Sequence, residues 1–349
     1  MRSHMIDPLS VEQSSGVMGF AEFLVWSQQV SKTIPNVRRL CETRIAQAFG
    51  FIRPTIDVPL DFATVHRCDL ARLWCEVRGL CSGSTTALIC EGVRHGLALI
   101  FKVLAQARQR VALPRDVYPV YWRIAYEAEL DAVSVETFPC FDLQAILEVS
   151  ARLETSVVVL PFPLKLHGRR WTEEEVDQAV TWLRKEPQRR LILDGVYSFG
   201  LALGTFTKRL LETGQVIYLD SLSKGWLHEL VLGVAIVPES DLGTYGNSFR
   251  SLQLSQANLF RARGLLSGFH YFPIQITEEI ERRRDTLLKL LNATGMRVLP
   301  ATQGYLVAIE GSASVLLAEH RLLTMPSTVF GSRSLQWSVA SALPPGDLL

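Results

Sequence analysis

Lys224 ends the run Tyr218-Leu-Asp-Ser221-Leu-Ser223-Lys224, an apolar segment that turns into a hydroxyl-flanked loop. Upstream, a second apolar run, Leu191-Ile-Leu193, delivers Asp194-Gly-Val-Tyr197. An amine, a carboxylate and a phenol are thus each carried where a short hydrophobic segment gives out. A lysine amine condenses with an aldehyde to a Schiff base, and a carboxylate can keep the nitrogen of a pyridine ring protonated. The plain alternatives are a surface lysine, the usual fate of that residue, and an acid capping a turn beside a core tyrosine. Taken alone, Asp194 and Tyr197 fit the plain alternative; together with Lys224 they point to chemistry.

The elements that must place these residues alternate between strand and helix. Short apolar runs at 86–90, 110–113, 132–137, 157–160, 191–194, 216–220 and 233–237 read as strands. Helices are predicted over 92–107, 119–130, from 143 onward, and over 172–183. Short β-branched runs bounded by turns and separated by amphipathic helices predict a mostly parallel sheet buried on both faces. Ligands of such sheets sit beyond the carboxyl ends of the strands, where Asp194 and Lys224 both fall. Residues 10–50 have helical character, with Phe20, Phe23 and Leu24, then Val37 and Leu40, at helical spacings that Pro35 interrupts. Toward the other end, runs at 297–299, 304–309 and 335–340 read as strands around a helix at 314–323, a small α+β unit. The charge run Glu281-Arg-Arg-Arg284-Asp285 lies in a predicted helix at 277–291 and reads as a solvated helix face.

Composition narrows the class. With 48% hydrophobic and 20% charged residues in 349, the chain reads as a soluble globular protein with a sizeable core. Its 36 basic residues nearly balance 35 acidic ones, so nothing points to nucleic acid or an anionic membrane. The six cysteines form no C-x-x-C pair and suit a reducing compartment. Met1-Arg-Ser-His-Met5 reads as a cloning scar, and the apolar stretch at 20–25 is too short to span a bilayer and is broken by Glu22. A cytoplasmic protein is expected.

The Ser221-x-Ser223-Lys224 step and the Asp194-x-x-Tyr197 step resemble the fold-type I enzymes dependent on pyridoxal 5′-phosphate (PLP), of the class I and II aminotransferase kind. The resemblance runs over about residues 75–340. It implies that Lys224 forms the Schiff base, that Asp194 pairs with the pyridinium nitrogen, and that Tyr197 bonds the 3′ oxygen of the ring. Glu91-Gly92-Val93-Arg94-His95-Gly96-Leu97 matches the family's turn into a helix whose backbone N–H groups take the phosphate. Arg94 either adds charge to that phosphate site or faces solvent, with Ser221, Ser223 and backbone amides sufficing. Ser82-Gly83-Ser84-Thr85 has the composition of a phosphate loop but precedes its strand, and reads as a turn.

Pro114-Arg-Asp-Val-Tyr118-Pro-Val-Tyr121 resembles a family step whose first tyrosine stacks on the ring, so Tyr118 takes that place and Tyr121 a packing place. Pro163-Leu-Lys165-Leu-His167-Gly168 stands where the family has Pro-x-Asn-Pro-Thr-Gly. Lys165 there replaces an asparagine that touches the 3′ oxygen; Lys165 and His167 as solvated loop residues is the competing reading. Two arginines of the family are missing. None follows Lys224 before Gly233, and Gln336-Trp-Ser338 replaces the Arg-x-Ser that clamps a substrate carboxylate, with Arg333 nearby but out of register.

The resemblance implies an α/β large domain with a seven-stranded, mostly parallel sheet at 51–250. A small α+β domain at 251–349 is joined by the N-terminal segment 1–50. It also implies a homodimer and a small amine or amino-acid-like substrate processed through an external aldimine and a quinonoid. Transamination leads; decarboxylation, elimination and carbon–carbon bond formation use the same electron sink. A degenerate, non-catalytic binding protein is the rival.

Overall fold

A computed structural model describes residues 19–49, 56–59, 61–80, 84–116, 120–226 and 230–343. The chain opens with α1 (Phe20–Thr33), β1 (Arg38–Arg39), α2 (Ile45–Ala48) and α3 (Arg67–Val77). Then strand and helix alternate: β2 (Thr85–Cys90), α4 (Gly92–Gln106), β3 (Val111–Pro114), α5 (Val120–Glu127), β4 (Ala132–Val135) and α6 (Leu143–Arg152). The series continues through β5 (Val157–Pro161), α7 (Glu173–Lys185), β6 (Arg190–Asp194), α8 (Thr205–Leu211), β7 (Val216–Ser221), α9 (Leu222–Gly225) and β8 (Gly233–Pro238). Helices α10 (Leu242–Arg250), α11 (Gln256–Gly268) and α12 (Tyr271–Ala293) follow. The end of the chain supplies β9 (Leu306–Glu310), α13 (Ala313–His320), β10 (Leu322–Leu323), β11 (Met325–Pro326) and β12 (Trp337–Ser341).

Seven strands form one sheet in the order β2-β8-β7-β6-β5-β3-β4. Its pairs are parallel except those made by β8, which runs against β2 and β7. Alternation along each strand feeds two cores: Leu191 and Leu193 point to one, Ile192 to the other. Tyr218 and Ile217 divide in the same way. Because helices cover both faces, the strands are apolar on both sides, which is why they read as continuous hydrophobic runs. The α/β architecture expected from the sequence is the one observed.

Register brings the strand ends to a common edge. Pro161 pairs with Asp194, Asp194 with Leu219, and Ser221 and Cys90 both with Gly233. Gly92 lies just past that edge at φ +78, and a Cβ on Gly233 would stand 2.7 Å from its Cα. Only glycine permits this approach of β8 to the start of α4.

Three expectations need correction. Val37 and Leu40 flank strand, not helix: Arg38–Arg39 pairs in parallel with Leu322–Leu323, joining the two ends of the chain. Residues 297–299 form no strand, contributing only an isolated bridge from Val298 to Ile309. The charge run on α12 is not a wholly solvated face, because Arg283 and Arg284 are each only 6% exposed. Arg283 bonds Glu279 and the carbonyl of Leu343 and lies over the ring of Phe49; Arg284 bonds the carbonyl of Gly304. Their charged heads satisfy backbone carbonyls and a carboxylate while their stems pack, which spacing along one helix does not reveal. Among the described residues no helix is long and apolar enough to cross a membrane.

Candidate active site

The C-terminal edge of the sheet opens into a cavity. Its walls come from α4 (Val93, Arg94, Leu97), α5 (Tyr121), the end of β5 and its loop (Pro161, Pro163, Lys165), the end of β6 (Asp194, Val196, Tyr197) and α9 (Lys224). Five separate segments thus converge where a parallel sheet presents its ligand sites.

Each residue has a local reason for its place. Asp194 is the last residue of β6, and the amide of Val196 two residues on donates to its Oδ1 at 3.0 Å. The phenol of Tyr121 donates to its other oxygen. Burial pushes the Asp194 carboxyl above the ordinary carboxylate range, opposed by those two hydrogen bonds and by the charge of Lys165. Lys224 sits in the single turn of α9. Ser221 caps that turn by accepting from the amide of Ser223 at 3.2 Å, and the two hydroxyls lie 2.8 Å apart.

Two ammonium groups approach the ring of Tyr197. Lys165 Nζ is 4.6 Å from the centre of its ring and Lys224 Nζ 5.8 Å. Its hydroxyl accepts from Tyr305 at 3.3 Å, tying the site to the segment that leads into β9.

Of the residues singled out in the sequence, Lys224, Asp194, Tyr197, Lys165, Val93 and Arg94 line the cavity together. Gly92, Ser221 and Ser223 lie beside it in the turns that shape its edge. Tyr118 falls outside the described residues. Gln336 and Arg333 do not line the cavity; both are exposed, and Arg333 faces Glu136 at 3.4 Å. His167 is no solvated loop residue. It is buried against Phe138 and Phe141, with Nε2 3.1 Å from the carbonyl oxygen of Pro139.

Two features were missed. Tyr121, read as packing, is buried yet directs its hydroxyl to Asp194. The signal was a phenol on a buried helix face, which needs a partner. Asp220, two residues before Leu222, forms a buried ion pair with Arg78 at 2.9 Å. Arg78 also bonds the carbonyls of Ser198, Gly200 and Leu201, pinning the loop that follows Tyr197. An acid inside an apolar strand was the clue, since a buried charge demands a counter-charge.

The profile of the aminotransferase class I and II family matches residues 61–346. The chain belongs to that family of fold-type I, PLP-dependent enzymes and is an aminotransferase-like enzyme. A comparison with curated protein sequences gives no significant match. Among solved structures, a double mutant of Thermus thermophilus aspartate aminotransferase is 16% identical at a TM-score of 0.73, covering 100% of this chain and 97% of that one. YbdL from Escherichia coli, described with a methionine aminotransferase function, is 14% identical at 0.73, covering 94% of each chain. An aminotransferase from Mycobacterium tuberculosis is 17% identical at 0.72, covering 99% of this chain and 94% of that one. At such identities these likenesses concern the fold.

Proposed function

We propose that this protein is a PLP-dependent aminotransferase acting on an amine or amino-acid-like substrate that is not held by the usual carboxylate clamp. The observation that carries the reading is the meeting of Lys224, Asp194 and Tyr197 around one cavity at the strand ends.

The residues fit the cofactor. A carboxyl raised by burial at the base of a cavity gains most from a cation placed against it, and a protonated ring nitrogen is one. When bound, PLP supplies an aldehyde for amines and a ring that accepts electrons from the substrate carbon. Lys224 Nζ would attach the cofactor and, once displaced, carry the proton to and from the substrate carbon. Tyr197 and Lys165, whose Nζ lies 4.6 Å from the centre of the Tyr197 ring, would hold the phenolic oxygen as a donor and a cation. Tyr121 keeps Asp194 oriented. Val93 and Arg94, in the first turn of α4, would offer amides and a guanidinium to the phosphate, and Ser221 with Ser223 shapes the turn bearing Lys224.

The substrate reading rests on Gln336 and Arg333. A neutral amide gives no charge to a carboxylate, and Arg333 lies at the surface with Glu136. The same proposal carries a cytoplasmic homodimer and the division into a large domain at 51–250 and a small one built from both chain ends.

The test is borohydride reduction of the purified protein followed by peptide mass analysis. A pyridoxyl group on Lys224 is expected. One on Lys165, which lines the same cavity, or on Lys208 would overturn the assignment. A protein that retained the fold without the chemistry would show no visible absorption band that shifts on adding an amine.

A further inference from the structure

A second cavity, of about 290 Å³, adjoins the catalytic one at Pro163. The two share Pro163 and no other lining residue. Aromatic side chains form most of its apolar wall: Phe162, Trp171, Phe199 and Phe206. The wall is fixed from behind. Trp171 donates its indole N–H to the carbonyl of Pro161 at 3.2 Å and meets Phe162 edge to face with centroids 5.1 Å apart. Ser198 donates its hydroxyl to the carbonyl of Phe162 at 3.1 Å. Rings held in this way present a formed apolar slot at the lower end of the range for small-ligand sites, about 300–1,000 Å³.

One charge faces this slot. Arg170 lines it, is solvent-exposed, and directs Nε to Gln303 Oε1 at 2.5 Å. The bond to Gln303 uses Nε alone, and among the described residues no carboxylate forms an ion pair with its guanidinium. Its two terminal nitrogens are therefore the obvious partners for a planar anion, while Gln303 fixes the fork. An aromatic floor with a single oriented guanidinium at its edge suits a ligand with a ring at one end and a carboxylate at the other.

We propose that this cavity binds a small aromatic carboxylate at a site separate from the catalytic one. Such a ligand would press on Phe162, whose amide donates to the carbonyl of Asp194 at 2.9 Å, and on the segment that follows Tyr197. The site therefore abuts two of the residues to which chemistry is assigned without touching the reacting atoms. The inference does not depend on the cofactor reading.

Calorimetric titration of the purified full chain with phenylacetate tests it. Saturable binding is expected, with phenylacetamide binding at least about tenfold more weakly, since it lacks the charge that pairs with Arg170. Arg170→Gln, a change at an exposed side chain, should raise the Kd for phenylacetate by about tenfold or more. Ala202→Trp keeps Arg170 but fills the slot, and should abolish binding. Lys224→Ala should leave the Kd unchanged. Absence of saturation, an unchanged Kd in both cavity variants, or loss of binding in Lys224→Ala would each overturn the proposal. The last result would place the acid in the catalytic cavity. None of these outcomes bears on the pyridoxyl group expected at Lys224, so the two readings fail independently.

Discussion

The phenol of Tyr121 donates to the carboxylate of Asp194 across 73 residues of sequence. This bond opposes the burial that drives the Asp194 carboxyl upward. Tyr121→Phe removes the donor and keeps the ring, leaving the carboxylate less stabilised for its part in holding a ring nitrogen. The dissociation constant for PLP should rise by about tenfold, since a hydrogen bond to a charged group contributes about 1.5–3 kcal/mol. Titration of the cofactor absorbance in the variant measures this, and an unchanged constant would show that Tyr121 only packs.

Arg94 is exposed yet lines the cavity from the first turn of α4. If it shares the phosphate charge that a downstream arginine gives in other members, Arg94→Ala should weaken PLP binding by about tenfold or more. Equal cofactor affinity in the variant refutes the role and leaves the helix amides as sufficient.

Glutamate, aspartate and alanine should be poor amino donors. Each is mixed with the PLP form and conversion to the pyridoxamine form is followed spectroscopically. Because Gln336 brings no charge and Arg333 stands beside Glu136, slow conversion is expected. Rapid conversion by glutamate that disappears in Arg333→Ala would restore an ordinary aminotransferase.

Gly233→Ala should destabilise the fold. The added Cβ would stand 2.7 Å from Gly92 Cα and 2.9 Å from the carbonyl oxygen of Asp220, both backbone atoms that cannot step aside cheaply. Overpacking of this kind costs about 1–3 kcal/mol. Thermal melting of the variant reads the loss directly, and Gly214→Ala is no control because its φ is +67. Gly243→Ala, with open space where its Cβ would go, serves instead and should melt near the parent temperature.

His167 gives the fold a pH dependence. Burial is the main cause that lowers its pKa to about 4, with the Arg169 charge adding to it and the bond to Pro139 opposing. The unfolded chain takes up that proton near pH 6.5 while the folded one resists until about 4. Its contribution to stability is therefore complete above about 6.5 and falls as pH drops toward 4, by up to about 3 kcal/mol. Urea unfolding of the parent and of His167→Phe, compared at points across this window, should show a shallower slope in the variant. Parallel slopes would assign the acid sensitivity to other groups.

The alternation of strand and helix was legible in the chain because it is written locally. The inner strands of the large sheet are buried on both faces and so are short, largely apolar runs, and each helix repeats its apolar face within a few turns. Asp194, Tyr197 and Lys224 could be placed at strand ends for the same reason: the run of apolar residues stops where they begin. What stayed hidden depends on partners distant in sequence. Tyr121 and Tyr118 are equivalent as letters, and only the packing of α5 against the end of β6 sends the Tyr121 phenol to Asp194. Arg283 and Arg284 look like any charged helix face until the carbonyls of Leu343 and Gly304 are folded onto them. His167 is polar by type and core by environment, because three aromatic and carbonyl neighbours arrive from the loop around Pro139. Val37 and Leu40 keep a helical spacing but take extended backbone, since the strand at Leu322–Leu323 offers hydrogen bonds to that segment. Local hydrophobic period sets which element forms; the assignment of each polar group to its partner is a property of the assembled chain, where desolvation makes an unmatched group costly.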